Sequence, residues 1–178
     1  MASKNVDLQK HWAWFFGLGI FLLLFGFVMI VLPIAGSFAI DLFIGVVLLI
    51  AGILQVVMAF NFRKWKGFLV KLLTGILYGG AGLLLLVYPL SGVITLTLFL
   101  AAFLLIEGVL EIAFAYRLKP ESHWNWVLFD GVIGILLGLL IIANWPSDSL
   151  WVLGLLFGIN LVFSGVTSLV LSFAAKEK

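Results

Sequence analysis

One stretch of the sequence decides the fold: GIFLLLFGFVMIVLP, residues 19–33. It is strongly apolar, contains two glycines seven residues apart, and ends on a proline. Similar stretches recur as GILYGGAGLLLLVYP at 75–89 and as GVIGILLGLLIIANWP at 131–146. The first two copies start 56 residues apart, and so do the second and third. A fixed spacing of this length indicates tandem copies of one structural unit.

A second apolar segment follows each of these prolines and carries small residues, again seven apart. They are Gly45 and Gly52, then Ala101 and Gly108, then Gly158 and Gly165. Seven residues nearly equal two turns of α-helix, so each pair lies on one stripe of its helix. In lipid, small residues let helix backbones approach closely. We therefore predict helix-packing roles for Gly19, Gly26, Gly45, Gly52, Gly75, Gly82, Gly108, Gly131, Gly138, Gly158 and Gly165.

The composition indicates a membrane protein. Hydrophobic residues make up 65% of the 178 residues and charged residues only 10%, whereas soluble domains are roughly half apolar and a quarter charged. The lipid bilayer is therefore the expected partner, and no basic block typical of a nucleic-acid-binding protein is present. The chain has no cysteine, which excludes disulfides, thiol catalysis and cysteine-ligated metals.

The number of membrane spans follows from the positions of lysine and arginine. Neither residue occurs in 11–62, 72–116 or 120–175. One span needs about 20 residues, so each of these stretches holds two helices. Proline ends a helix, and prolines begin or interrupt the predicted turns at 33–37, 89–92 and 145–149. The predicted helices are 12–32, 37–60, 68–88, 93–116, 125–145 and 149–173.

The predicted fold class is thus an all-α membrane protein with six transmembrane helices. They form three tandem helical-hairpin repeats, at approximately 12–62, 68–118 and 124–175, within a single transmembrane domain, 1–178. Strands are not expected, because membrane strands alternate apolar and polar residues and these segments do not.

The basic residues predict the orientation, because all ten fall on one side of the predicted spans. They are Lys4, Lys10, Arg63, Lys64, Lys66, Lys71, Arg117, Lys119, Lys176 and Lys178. The turns on the other side carry only Asp148 as a charged residue. By the positive-inside rule, the basic side and both termini are predicted to be cytoplasmic.

Several polar residues inside the predicted spans are candidate functional residues, since such residues are rare in lipid. They are Asp41, Gln55, Lys71, Glu107, Glu111 and Asp130. Glu107 and Glu111 are four residues apart and share one helix face, and Gly108 next to them belongs to the predicted packing stripe. We expect this pair to face other helices and to cluster with Gln55, Ser164 and Ser168, their polar counterparts in the other copies.

Two interpretations of Glu107 and Glu111 remain open at this point. The pair could bind or sense protons, or it could make hydrogen bonds between helices, worth roughly 0.6 kcal/mol each. No Ser-His-Asp arrangement and no metal-ligand spacing is visible, so no catalytic residue, metal site or cofactor is predicted.

A recurring motif closes the second helix of each copy. It reads GILQVVMAF at 52–60 and GVLEIAFAY at 108–116, with a degenerate version, GVTSLVLSF, at 165–173. With three hairpins, glycine-rich first helices and Pro-x-x-Gly turns, the chain resembles the HdeD-like family of bacterial acid-resistance membrane proteins. The third copy departs from the pattern, since Ser149 replaces the turn glycine.

The resemblance implies a multi-pass protein of the bacterial inner (plasma) membrane that contributes to acid-stress resistance without being an enzyme. It implies no substrate, cofactor or catalytic residue. The alternative function is a small proton-coupled transporter or channel that uses Glu107 and Glu111. A membrane scaffold that acts on a protein partner is a third possibility, and a homo-oligomer is equally open.

Overall fold

The computed structural model describes residues 12–60, 65–119 and 124–176, and these residues are entirely helices and short turns. The helices are α1 (Trp12–Val31), α2 (Pro33–Ala59), α3 (Trp65–Val87), α4 (Pro89–Leu118), α5 (Trp124–Ala143) and α6 (Ser149–Lys176). All six are long and apolar enough to cross a membrane. The predicted all-α class with six transmembrane helices is confirmed.

Two of the predicted turns are wrong in their extent. α2 begins at Pro33 rather than at residue 37, and α4 begins at Pro89 rather than at residue 93. Single residues, Leu32 and Tyr88, separate these helices from the preceding ones. The reason is that proline fits the first helical position, where its missing N–H is not needed.

The link between α5 and α6 is longer, at residues 144–148, and it contains the third proline of the repeat. The indole Nε1 of Trp145 donates to the carbonyl oxygen of Ile94 at 3.2 Å, which ties this link to the first two turns of α4. Seven residues separate Gly138 from Pro146, whereas six separate the corresponding glycine and proline in each of the first two copies, and this additional residue lengthens the link.

Burial in this chain is the reverse of that in a soluble protein. Large apolar side chains such as Phe43 and Phe163 are each 70% exposed, whereas all eleven glycines of the predicted packing stripes are buried. Lipid tails solvate large apolar side chains, so close approach of helices, rather than exclusion of water, determines which residues are buried.

The chain divides into two compact units: residues 1–37 with 154–178, and residues 38–153. The described part of the first unit packs α1 against α6. A Cβ atom added to Gly26 would lie 2.8 Å from the carbonyl oxygen of Gly158, and one added to Gly158 would lie 2.9 Å from that of Gly26. Gly19 and Gly165 repeat this reciprocal contact at 3.0 and 2.9 Å. We call such a line of backbone contact a seam.

The second unit contains two further seams. In the seam between α2 and α3, Cβ atoms added to Gly52 and Gly75 would lie 2.8 and 3.0 Å from each other's carbonyl oxygens. In the seam between α4 and α5, the corresponding distances for Gly108 and Gly131 are 2.5 and 2.8 Å. No larger side chain fits at these positions without moving the backbone.

All three seams follow one rule. In each, residue numbers rise along one helix as they fall along the other, for example from Gly45 and Gly82 to Gly52 and Gly75, so the paired helices are antiparallel. Each seam joins the second helix of one copy to the first helix of another copy. These close backbone contacts therefore lie between copies of the repeat.

Candidate functional site

The structure places Glu111 and Glu107 in different surroundings. Glu111 is half-buried at the seam between α4 and α5, where its Cβ lies 3.0 Å from the point that a Cβ would occupy on Gly131. Glu107 is exposed on the outside of α4. The expectation that both carboxyls face the seam is therefore wrong for Glu107. Gly108 and Ala115 occupy the buried stripe, and Glu107 lies next to that stripe rather than on it.

Both carboxyls line one groove along α4, with a volume of about 590 Å³. Its lining is mostly apolar, with one cation near the end of the helix: Phe103, Ile106, Glu107, Leu110, Glu111, Ala113, Phe114 and Arg117. The groove gives the two carboxyls a shared, open surface within the membrane-spanning part of α4.

Asp130 of α5 is the third carboxyl at this seam. It is exposed and directly precedes Gly131, which packs against Gly108. Glu107 lies one turn before Glu111 on the same helix, and the Cβ of Glu111 approaches Gly131, the residue after Asp130. The structure thus gathers Glu107, Glu111 and Asp130 into one acidic group, which we call the acidic seam.

The other candidate polar residues of the predicted spans belong to α2, α3 and α6. Ser164 and Ser168 belong to the other compact unit, and the hydroxyl of Ser168 donates to the carbonyl oxygen of Ser164 on the same helix at 2.8 Å. Gln55 is half-buried on α2, next to Val56, which contacts Gly75. Lys71 is half-buried on α3, one turn before Gly75.

Asp41 is the most deeply buried of the candidate residues. Its exposed fraction is 0%, and neither carboxylate oxygen has a hydrogen-bond partner among the described residues. The carboxyl lies directly against Gly92 of α4, where an added Cβ would come within 2.8 Å of the Asp41 Cγ. The Asp41 side chain is therefore completely buried and contacts α4 at Gly92.

Two further buried polar residues, Thr97 of α4 and Ser149 of α6, were missed by the sequence analysis. The Thr97 hydroxyl donates to the carbonyl oxygen of Val93 at 2.8 Å and lies 3.1 Å from the carbonyl oxygen of Ser149. Ser149 is buried, and its own hydroxyl has no hydrogen-bond partner in the part of the chain that the structure describes. We call Asp41, Gly92, Thr97 and Ser149 the Asp41 layer.

The repeat explains how the Asp41 layer is built, and it is the signal that could have revealed it. Asp41 and Thr97 are equivalent positions in the first two copies, 56 residues apart, and Gly92 and Ser149 are the equivalent turn positions in the last two. Asp41 of the first copy contacts Gly92, the turn residue of the second copy. In the same way, Thr97 of the second copy contacts Ser149, the turn residue of the third copy. The small turn residue of Pro-x-x-Gly therefore makes room for a side chain of another helix.

The first unit contains a related contact. The amide of Gly154, which is equivalent to Asp41 and Thr97, donates to the Ser37 hydroxyl oxygen at 2.8 Å.

Among residues 12–60, 65–119 and 124–176, no group of three or more His, Cys, Asp or Glu side chains is placed to hold a metal ion.

Several predicted features of the cytoplasmic side, among them Lys4, Lys10, Arg63, Lys64 and Lys178, lie outside the described residues. Among the described residues, Lys119 follows the end of α4. Its Nζ lies 4.3 Å from the ring centre of Trp124 and 5.7 Å from that of Tyr116. Such aromatic residues at a helix end are typical of a membrane interface.

Comparison with known proteins gives one family match. A family model described as "Short repeat of unknown function (DUF308)" matches residues 17–87, 73–143 and 140–178. The first two matched segments begin 56 residues apart, and each contains one complete seam of the second unit. No curated protein and no solved structure gives a significant match.

Proposed function

Because the chain belongs to the short-repeat family DUF308, whose matches run from residue 17 to residue 178, we propose that this integral membrane protein contributes to acid-stress resistance without being an enzyme. We further propose that it resides in the bacterial inner membrane with both termini in the cytoplasm. The distribution of lysine and arginine supports this orientation, as does the placement of Lys119 among Tyr116 and Trp124. The acid-stress role extends the resemblance to the HdeD-like family.

The observation that carries the proposal is the acidic seam. Three acidic residues of two packed helices, Glu107 and Glu111 of α4 and Asp130 of α5, lie in membrane-spanning segments next to the contact between Gly108 and Gly131. Carboxylates are costly in lipid and are commonly functional there. In the described residues, Arg117 is the cation that lines the same groove.

The physical consequence is a seam that responds to acid. When Glu111 is ionised, repulsion from the neighbouring acidic residues Glu107 and Asp130 opposes the packing of α4 against α5. Protonation removes the charges and with them the repulsion, so acid strengthens this seam rather than weakening it. Most proteins respond in the opposite way, since their carboxylates are paired with cations and lose those partners in acid.

Survival of acid shock tests this proposal. A strain that lacks the gene is complemented by the wild type, by Glu107→Gln combined with Glu111→Gln, or by Asp148→Asn as a control. Gln keeps the shape and the hydrogen bonding but does not titrate. We expect the double variant, whose seam no longer changes with pH at these two positions, to differ from the wild type in survival, and the control to match the wild type. Survival equal to wild type by the double variant, at equal expression, would show that these carboxyls do not sense protons.

A second candidate function, proton-coupled transport or a channel, is favoured by the open groove of about 590 Å³ next to Glu107 and Glu111. Purified protein in liposomes that contain a pH-sensitive dye provides the test. If the protein moves protons, Glu107→Gln should abolish the flux, and Asp148→Asn should leave it unchanged. Absence of flux for the wild type under a proton gradient would remove this candidate.

A further inference from the structure

The groove along α4 has the size and the lining of a binding site for a small molecule. Its volume is about 590 Å³, and ligand sites commonly measure roughly 300–1,000 Å³ with mostly apolar walls. Its described lining residues all belong to α4, from Phe103 to Arg117. The apolar ones are accessible, since Ile106 and Leu110 are 62% and 63% exposed. The groove therefore opens from one face of α4 towards the lipid.

Two aromatic rings flank the carboxyls in this groove. Phe103 precedes Glu107 by four residues, and Phe114 follows Glu111 by three, so each ring lies on the same helix face as its neighbouring carboxyl. Both rings are largely exposed and line the groove. The face of an aromatic ring attracts positive charge. The rings and the carboxylates therefore favour the same kind of ligand, a cation.

The lining of the groove contains more acidic than basic groups: the carboxyls of Glu107 and Glu111, and one guanidinium. That guanidinium belongs to Arg117 in the last turn of α4, six residues beyond Glu111 and about 9 Å from it along the helix axis. No lysine or arginine occurs from 72 to 116, so α4 itself offers no positive side chain at the depth of the carboxyls. A ligand with one positive charge and apolar bulk complements this lining in both respects.

We propose that this groove binds a lipophilic organic cation, in which apolar groups surround a permanent positive charge such as that of a quaternary ammonium or phosphonium. A metal ion fits less well, because the described lining supplies no side-chain oxygen besides the two carboxyls. An anionic or neutral lipid would leave the carboxyls without a counter-charge. If a carboxyl holds a proton in the empty groove, the arriving cation releases that proton, and the net charge of the groove stays the same.

This inference rests on the second candidate function, transport through the same groove, and names its substrate class. Binding is measured separately from proton flux and from acid survival, so the two proposals can fail independently. Binding without flux or protection would remove the proposed functions and leave the site. Flux or protection without binding would remove only the site.

Equilibrium dialysis of the full-length protein in an uncharged detergent tests the site, with tetraphenylphosphonium as the probe. We expect saturable binding of one cation per chain. Tetraphenylborate has the same shape and the opposite charge, so it is the matched control and should not bind to a saturable site. Glu107→Gln combined with Glu111→Gln should weaken the binding of tetraphenylphosphonium about tenfold or more, which corresponds to about 1.4 kcal/mol. Asp148→Asn, which lies outside the groove, should not change it.

The proposal is overturned if tetraphenylphosphonium does not bind the wild type saturably, or if the double Gln variant binds it as tightly as the wild type does. Equal binding of tetraphenylborate would also overturn it and would identify the groove as an apolar surface for lipid. A stable dimer that binds no tetraphenylphosphonium would identify a second copy of the chain as the occupant. The comparison of the two ions uses the wild type alone, so it does not depend on the folding of any variant.

Discussion

Gly108 and Gly131 contact each other through their backbones. A methyl group on Gly108 would lie 2.5 Å from the carbonyl oxygen of Gly131, and one on Gly131 would lie 2.8 Å from that of Gly108. Equivalent reciprocal pairs, Gly52 with Gly75 and Gly165 with Gly19, occur in the other two seams. Three copies of one backbone contact therefore hold the paired helices together.

The first prediction is that Gly108→Ala destabilises the protein. The added methyl group has to displace backbone, and overpacking of this kind costs about 1–3 kcal/mol. Gly80→Ala is the matched control, because in the described chain no heavy atom outside its own helix neighbourhood lies within 4 Å of the added carbon. Tm measured in detergent should fall by several degrees for Gly108→Ala and should stay unchanged or rise slightly for Gly80→Ala. Equal effects of the two substitutions would contradict the packing role of the seam.

The spacing of the glycines could be predicted from the sequence, but their partners could not. Small residues seven apart, such as Ala101 and Gly108, lie on one stripe of their helix in any fold, because this placement depends only on the geometry of a single helix. Which stripe meets which depends on the packing of all the helices. The glycines are chemically identical, so no local signal distinguishes Gly131 from Gly75 as the partner of Gly108.

The candidate site was harder to predict for a related physical reason. Glu107 and Glu111 stand out because carboxylates are rare in apolar segments, and the structure places Glu111 in contact with the seam. The burial of Asp41 depends on room left by Gly92, which is 51 residues away. Likewise, Pro33 was expected to end a helix, whereas it begins one, since proline disrupts only positions beyond the first turn.

The second prediction concerns energetic coupling between Asp41 and Gly92. Gly92→Ala should destabilise the protein because the new methyl group meets the Asp41 carboxyl. In an Asp41→Ala background the same substitution should cost less, with a coupling free energy of at least about 1 kcal/mol. The free energy of unfolding of the four proteins in this cycle provides the measurement. Gly134→Ala is a suitable control for Gly92→Ala, because the atom closest to its added carbon lies at 3.4 Å, an ordinary van der Waals distance. If the effects of Asp41→Ala and Gly92→Ala are additive, the two residues are not in contact.

The third prediction is a pH dependence that arises from the acidic seam. The repulsion among Glu107, Glu111 and Asp130 exists only while they are ionised. Replacing Glu107 and Glu111 by Gln should therefore raise the Tm near neutral pH and change it less in acid, where carboxyls become protonated. The measurement is the difference in Tm between the variant and the wild type, followed from neutral pH into acid. Because the two proteins differ only at Glu107 and Glu111, the effects of the other titrating groups cancel in this difference. A difference that does not vary with pH would show that the repulsion is negligible.

The fourth prediction is the orientation in the membrane, which the cysteine-free sequence makes simple to test. Lys119 lies between α4 and α5, and Ser147 lies in the link between α5 and α6, so the two residues flank α5 at opposite ends. Lys119→Cys should react with a membrane-impermeant maleimide only after the cells are lysed, because the positive-inside rule places the basic loops in the cytoplasm. Ser147→Cys should react in intact cells. Labelling of Lys119→Cys alone in intact cells would invert the orientation, and labelling of both would mean that α5 does not cross the membrane.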